Sequence, residues 1–241
     1  MSVNKTEEEV CDHRDQAIRA VNNYLSNLIS AGEKGIEKAD KICYWISDYV
    51  KYIKKEDSFM PQKLPKYKRG SVIKAQLGFR VGSEFGGLHY CVVVDKTNSP
   101  RNPVITVVPL TSVKRDEQRD NPGQGNVYLG DDIYRAVEIK TKEKTQDILD
   151  QLDRIEEGVA EEEDLNCSRE KFMKELKELD GLKKEFERMK KGSIALVNQI
   201  TTISKMRIYD PRCSMDPLYN IRLSNENLDR IDEEIRMDFT K

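Results

Sequence analysis

His89 is the residue best suited to acid–base chemistry, and it is one of only two histidines in the chain. It follows Gly86 and Gly87, where a loop gives way to a β-rich run. An imidazole has an ordinary pKa of about 6.5, so it can give or take a proton at neutral pH. A lone histidine is also common as a structural residue, and the residues themselves leave both interpretations open. His13, on a polar helical segment, is expected to be a solvated side chain.

Several residues near His89 in the sequence could help it. Thr111 and Ser112 end a run that contains Pro109, and hydroxyl groups there could bind a phosphate or could be ordinary strand-end hydroxyls. The glycines allow backbone conformations closed to other residues and permit the close approach of a ligand, although they also suit a plain hairpin loop. Glu84 could orient His89 or hold the loop through hydrogen bonds.

Short β-rich runs must position these groups, and turn residues separate the runs. We predict strands at 71–77, 90–95, 104–110 and 193–199. Before them, apolar residues at three- and four-residue steps predict a helical hairpin within residues 1–60. Ser224 is expected to cap a closing helix that runs through Phe239. In the 193–199 run, Gln199 needs buried partners for its amide, so we expect it to organise the floor of a site.

Residues 131–191 are rich in charge yet keep a helical seam, which predicts an inserted arm of two antiparallel helices, or coiled coil. The seam residues in its second half are Phe172, Leu176, Leu179, Leu182, Phe186 and Met189. Ile148, Leu152, Ile155 and Val159 supply the facing stripe. The acidic run at 161–164 would repel RNA, which favours a protein contact or a spacer at the tip.

Composition excludes several classes of protein. The chain has 241 residues, 37% hydrophobic and 35% charged, with a formal net charge of −2. No apolar run approaches the roughly 20 residues that cross a bilayer and no signal peptide is evident, so we expect a cytoplasmic protein. Five scattered cysteines without a CxxC pair argue against disulfides and zinc. We find no P-loop, GxGxxG, HExxH or GxSxG motif in a suitable context, so no nucleotide cofactor or metal is predicted.

Three blocks of sequence, in order, resemble the MazF/PemK family of endoribonuclease toxins from bacterial toxin–antitoxin systems. The blocks lie at 68–87 (KRGSVI and GSEFGG), 91–112 (CVVVD and VVPLTS) and 194–207 (IALVNQITTI with Lys205 and Arg207). The resemblance covers 66–130 and 192–241, and it leaves the hairpin and the arm unexplained.

The resemblance implies an α+β fold with an SH3-like barrel, usually a homodimer neutralised by a cognate antitoxin. It implies cleavage of single-stranded RNA without metal, with the 2′-hydroxyl of the RNA as nucleophile. Thr111 matches the catalytic threonine of the family, whereas the family's catalytic arginine has become His89. The imidazole lacks the fixed charge of a guanidinium, so Arg80 or Arg69 would have to restore it.

The remaining expectations also come from the resemblance. RNA or phosphate binding is expected of Arg69, Arg80, Gly86, Gly87, Ser112, Lys205 and Arg207, with Glu84 and Gln199 supporting the site. The lost arginine keeps an alternative open, namely a catalytically inactive barrel that binds RNA or protein. The N-terminal hairpin could receive an antitoxin or cover the site itself.

Overall fold

The structure is a computed structural model that describes residues 5–156 and 165–240. The chain divides into two compact units, residues 1–57 and residues 58–241. The second contains every residue singled out for chemistry.

The first unit is a helical hairpin, as its apolar spacing predicts. α1 spans Glu7–Ser30 and α2 spans Glu33–Lys55. Thr6 caps α1 and exchanges hydrogen bonds with Glu9, which forms a capping box. The two helices meet closely at Gly35, where any side chain would collide with the Leu28 carbonyl oxygen.

The second unit is built on a seven-stranded antiparallel sheet. Its strands are β1 (Val72–Gln76), β2 (Leu88–Val93), β3 (Val104–Ser112), β4 (Asn126–Gly130), β5 (Ser193–Leu196), β6 (Thr201–Ser204) and β7 (Ile208–Asp210). The strand order is β4-β5-β3-β2-β1-β7, and β6 also pairs with β3. β3 pairs with β6 near its start, then with β2, and with β5 at its end. Thr111 lies in the last of these segments, beside β5.

The described pairings form an open sheet, so the SH3-like barrel implied by the family resemblance stays a prediction. β4 and β7 end the main strand order, β6 pairs only with β3, and no pairing joins β4 to β7 in the described part of the chain. The α+β class with N-terminal helices agrees with the expectation. Barrel closure does not follow from these strand pairings.

Two long helices enter the chain between β4 and β5. α3 spans Asp132–Glu156 and α4 spans Leu165–Arg188. Lys144 pairs with Glu178 at 3.3 Å, and Gln151, further along α3, bonds Glu175, earlier on α4. The helices are therefore antiparallel, while the supercoil of a coiled coil stays a prediction.

The apolar stripes of the arm are buried unevenly. Ile148, Leu179, Leu182 and Met189 are buried, whereas Leu152 is partly exposed. The structure does not describe the side chain of Ile155. It also does not describe Val159 or the acidic run at 161–164. The burial is deepest near the sheet, so this end of the arm belongs to the core of the unit.

The closing helix α5 spans Asn225–Phe239, and the Ser224 hydroxyl accepts a hydrogen bond from the Asn227 amide, as predicted. α5 buries Leu228 and Ile231 against the sheet in the same cluster as Ile133 and Val137 of α3. A second cluster, which includes Cys91 and Ile208, lies with β1, β2 and β7. Among the described residues, no helix is both long and apolar enough to span a membrane.

Candidate active site

A cavity of about 340 Å³ opens where β2, β3, β5 and the base of the arm meet. We call it the His89 cavity. Its polar lining residues are Lys74, His89, Tyr90, Thr111, Ser112, Lys114, Arg188, Lys190 and Ser193, and its apolar ones are Phe85, Leu88, Leu110, Ile133 and Met189. The lining holds four lysines and arginines and no carboxylate, so the cavity favours an anion.

His89 lies near the start of β2, paired with Ala75 of β1. Its half-buried ring packs against Phe85, with 4.3 Å between the ring centroids and a tilt of 46°. Gly87 has a positive φ of 101°, and a Cβ there would lie 3.3 Å from His89 Nε2. The glycine thus gives the imidazole room beside the loop while Phe85 restricts its orientation.

The environment favours the neutral form of His89. Burial lowers the pKa of the imidazole below its ordinary value, the Gly86 backbone hydrogen bond raises it, and the charge of Lys114 lowers it further. Burial is the largest of these effects, because a charged ring loses hydration there. A neutral imidazole at physiological pH has the free lone pair that a general base requires.

Thr111 and Ser112 reach the same cavity from the end of β3. They pair with Ile194 and Ser193 of β5, which fixes the direction of the strand at this point. The structure thus brings together the predicted pair His89 and Thr111, which lie 22 positions apart in the sequence. A hydroxyl beside an imidazole and several cations can bind a phosphate oxygen.

The positive charge of the cavity comes from residues that the sequence analysis did not select. Lys114 follows β3 directly, whereas Arg188 and Lys190 lie at the end of α4 and just after it. All three are exposed and lie outside the sheet strands. The inserted arm therefore supplies part of the wall of the cavity.

A cluster of polar residues around one buried carboxylate forms part of this wall. Lys74 Nζ donates hydrogen bonds to Glu185 Oε1 at 2.9 Å and Oε2 at 3.3 Å, and the Tyr90 hydroxyl donates to the same carboxylate. The Lys74 ammonium also lies 5.0 Å from the centroid of the Tyr90 ring. Glu185 belongs to α4 and is only 5% exposed, so the arm is joined to β1 and β2 by a buried ion pair.

The loop before β2 is held by its own residues and by Gln199. Gln199 Oε1 accepts a hydrogen bond from the Phe85 amide at 3.1 Å, which suits the supporting role predicted for it. A Cβ at Gly86 would lie 2.5 Å from the Gly78 carbonyl oxygen. Glu84 lies 3.9 Å from Arg80, so its nearest charged group is that arginine and not His89.

Four predicted phosphate-binding cations do not line the His89 cavity. Arg80 donates to the Leu77 carbonyl oxygen at 3.0 Å, and Arg69 bonds the Val94 carbonyl oxygen and the Asp232 carboxylate. Lys205 is 2% exposed with Nζ 3.0 Å from the Ser99 carbonyl oxygen, and Arg207 Nε donates to the Gln76 carbonyl oxygen at 2.7 Å. These backbone and carboxylate partners correct the expectation that Arg80 or Arg69 restores the charge beside His89.

The sequence did contain a signal for part of the missed cluster. Glu185 lies three residues after Leu182 and four before Met189, which places a carboxylate on the apolar face of α4. A charged residue on a buried stripe implies a buried partner. Tyr90 occupies the position at which the resembled family has a proline after its arginine. This departure was a second sign that the residues beside His89 differ from those of the family.

Comparison with protein families agrees with the resemblance drawn from the sequence. Residues 68–160 match the family described as the PemK-like, MazF-like toxin of type II toxin–antitoxin systems. The match spans less than half of the chain, runs from β1 into the arm, and contains His89 and Thr111 but not Glu185. No curated protein matches the chain.

Proposed function

We propose that this chain, which carries a domain of the PemK-like, MazF-like toxin family, is an endoribonuclease that cuts single-stranded RNA without metal. The observation that carries the proposal is the shared cavity of His89 and Thr111 within a lining that has cations and no carboxylate. The family also implies an antitoxin partner and a dimeric toxin.

The reaction joins the 2′-oxygen of the RNA to the adjacent phosphorus and breaks the bond from phosphorus to the 5′-oxygen. Neutral His89 accepts the proton of the 2′-hydroxyl, which makes that oxygen a stronger nucleophile. The 5′-oxygen leaves with a proton from solvent. The products are a 2′,3′-cyclic phosphate and a 5′-hydroxyl.

Charge stabilisation falls to Thr111, Lys114, Arg188 and Lys190. As the 2′-oxygen attacks, negative charge builds on the two non-bridging phosphate oxygens, and preorganised donors stabilise that charge. Several lysines and arginines around the cavity could thus replace the single arginine of the family. This division of labour explains how an imidazole can occupy the arginine position without loss of the overall charge.

The direct experiment is cleavage of a mixed-sequence RNA by purified protein in EDTA. We expect cuts by the wild type, a loss of about 10²–10⁴-fold in rate for His89→Ala, and a smaller loss for Thr111→Val. His13→Ala is the matched control, because His13 lies in α1 of the other unit. Equal rates for wild type and His89→Ala would refute the proposal and favour a barrel that only binds RNA or protein.

A further inference from the structure

A second basic cavity, of about 600 Å³, lies between the chain entering β1 and the loop after β2. We call it the basic cleft. Lys66, Lys68, Arg69, Lys96 and Arg222 line it, and no carboxylate does. None of these residues lines the His89 cavity.

Three of these cations have no neutralising partner in the part of the chain that the structure describes. Arg69 is paired with Asp232, and Arg222 Nη2 donates to the Arg69 carbonyl oxygen at 2.7 Å. In contrast, Lys66, Lys68 and Lys96 are exposed and form no ion pair with any described residue. Their ammonium groups therefore give the cleft a net positive charge that is available to a ligand.

The walls of the cleft are fixed by the backbone. The Gly70 amide donates to the Val93 carbonyl oxygen at 2.7 Å, and the Lys68 amide donates to the Ser71 hydroxyl at 3.0 Å. On the other side, the loop that carries Lys96 is anchored next to the lining, where Asp95 accepts a hydrogen bond from the Thr106 amide at 2.9 Å. The lysines thus project from an ordered turn and an anchored loop, which limits the entropy lost when they bind a ligand.

The cleft lies at the opposite end of the β1–β2 pair from His89. His89 is the second residue of β2, and Lys96 lies three residues beyond Val93, the last residue of that strand. At about 3.3 Å per residue, the four strand steps from His89 to Val93 alone span roughly 13 Å, and Lys96 lies in the loop beyond them. A ligand in the cleft therefore cannot be the phosphate that reacts at His89.

We propose that the basic cleft binds backbone phosphates of the same single-stranded RNA, several nucleotides from the cut. This inference rests on the proposed nuclease function for its ligand. Lysines act as point charges that accept phosphates in many geometries. A protein partner would need exposed apolar anchors in the cleft. The nonpolar residues of the lining are Pro100 and Tyr67, and Tyr67 is buried, so the lining favours RNA over a protein.

The test compares two triple variants in the His89→Ala background, which prevents cleavage during binding. One is Lys66→Gln with Lys68→Gln and Lys96→Gln; the control is Lys174→Gln with Lys177→Gln and Lys183→Gln, three exposed lysines of α4 outside both cavities. The probes are single-stranded RNAs of about 20 and about 5 nucleotides. The first is longer than the roughly 4–16 nucleotides that known strand-binding modules cover, and the second is near the lower end of that range.

We expect the cleft variant to bind the longer RNA at least about tenfold more weakly. The slope of the logarithm of its binding constant against the logarithm of the salt concentration should become less steep by about 2, because each lost phosphate contact removes roughly 0.7. The cleft variant should bind the short RNA as tightly as the His89→Ala parent does. The α4 variant should bind both RNAs as tightly as that parent. Equal loss in both triple variants, or no loss in either, would overturn the proposal. So would wild-type binding of polyglutamate in place of RNA, because that outcome assigns the cleft to an acidic protein.

Cleavage of the short RNA keeps this test separate from the nuclease proposal. With His89 intact, the cleft variant should cut the short RNA at the wild-type rate and the long RNA at a higher KM. Failure of the wild type to cut any RNA refutes the nuclease. Wild-type cleavage with unchanged long-RNA KM in the cleft variant refutes the cleft alone.

Discussion

Lys74 of β1 and Glu185 of α4 form a largely buried ion pair, with 2.9 Å between Nζ and Oε1, and Lys74 lines the His89 cavity. The pair connects a strand of the family-like domain to an arm helix beyond the matched residues. The base of the arm is therefore part of the structure that shapes the cavity.

Removing Glu185 should destabilise the second unit strongly. Glu185→Ala leaves the largely buried Lys74 ammonium without its counter-ion; a fully buried charge would lose about 3–5 kcal/mol, and the contact of Lys74 with the cavity lowers that loss to about 2–3 kcal/mol. Urea unfolding measures the change. Asp180→Ala is the control on the same helix, because Asp180 pairs with Lys184 at the exposed surface and should matter by less than about 1 kcal/mol.

The double variant Lys74→Met with Glu185→Leu separates the pair from simple packing. Both charges are then absent, so most of the stability should return. If the double variant loses as much stability as Lys74→Met and Glu185→Leu lose separately and in sum, the two residues are not coupled.

The pH dependence of cleavage should report the lowered pKa of His89. A general base must be neutral, so kcat/KM should rise with pH and level off, with the midpoint below about 6.5. The charge of Lys114 is one cause of the lowered pKa. Lys114→Gln should therefore move the midpoint to higher pH.

Lys190→Gln is the matched control for that shift. Lys190 lines the same cavity but is not among the causes of the His89 shift. It should reduce kcat/KM through weaker phosphate binding and leave the midpoint where it is in the wild type. An equal shift for both variants, or none for Lys114→Gln, would count against His89 as the titrating base.

The loop beneath His89 should tolerate a side chain at one glycine and not at another. Gly86→Ala places a methyl group 2.5 Å from the Gly78 carbonyl oxygen, so the loop must move and we expect at least a tenfold loss of kcat/KM. Gly82 has a φ of 61° with open space around it, and Asn tolerates that conformation. Gly82→Asn should keep near wild-type kcat/KM; equal losses would show that the close approach at Gly86 has no special role.

Asp210 should make the fold less stable as the pH rises. Burial raises its pKa from 3.8 to about 6, with further raising by Asp216 and Glu185, while the Leu218 amide and Lys74 lower it. The folded chain binds this proton more tightly than the unfolded chain. The free energy of unfolding therefore falls as the pH rises from 3.8 to about 6.

Asp210→Asn should remove that dependence. The amide keeps an acceptor for the Leu218 amide, 3.0 Å away, without the buried charge. Above pH 6 we expect a gain of up to roughly 3 kcal/mol, at about 1.4 kcal/mol per pKa unit. Chemical unfolding at several pH values measures it, and parallel curves for the variant and the wild type would contradict this origin of the pH dependence.

Local patterns predicted the elements better than the site. Turn residues and β-rich runs located β1, β2, β3 and β5 to within a few residues, because alternation and Gly or Pro breaks are local signals. β4, β6 and β7 were not predicted, since strands of three to five residues carry little periodicity of their own. Their pairing with β5, β3 and β1 decides their conformation.

Long-range partners explain why the cations were predicted less well. Arg69 was expected beside His89, but its partner Asp232 lies 163 residues later in the chain. No spacing rule connects residues that far apart. His89 and Thr111 were predicted together because the family resemblance carries both positions, and no local pattern would have joined them.

The most direct measurement of the central claim uses an RNA with one 2′-deoxynucleotide immediately 5′ to the scissile phosphate. If His89 activates the 2′-hydroxyl, that substrate should stay intact while the all-ribose RNA gives a 2′,3′-cyclic phosphate and a 5′-hydroxyl by mass spectrometry. Cleavage at the deoxy position, or a 5′-phosphate on the all-ribose product, would contradict the assignment of His89.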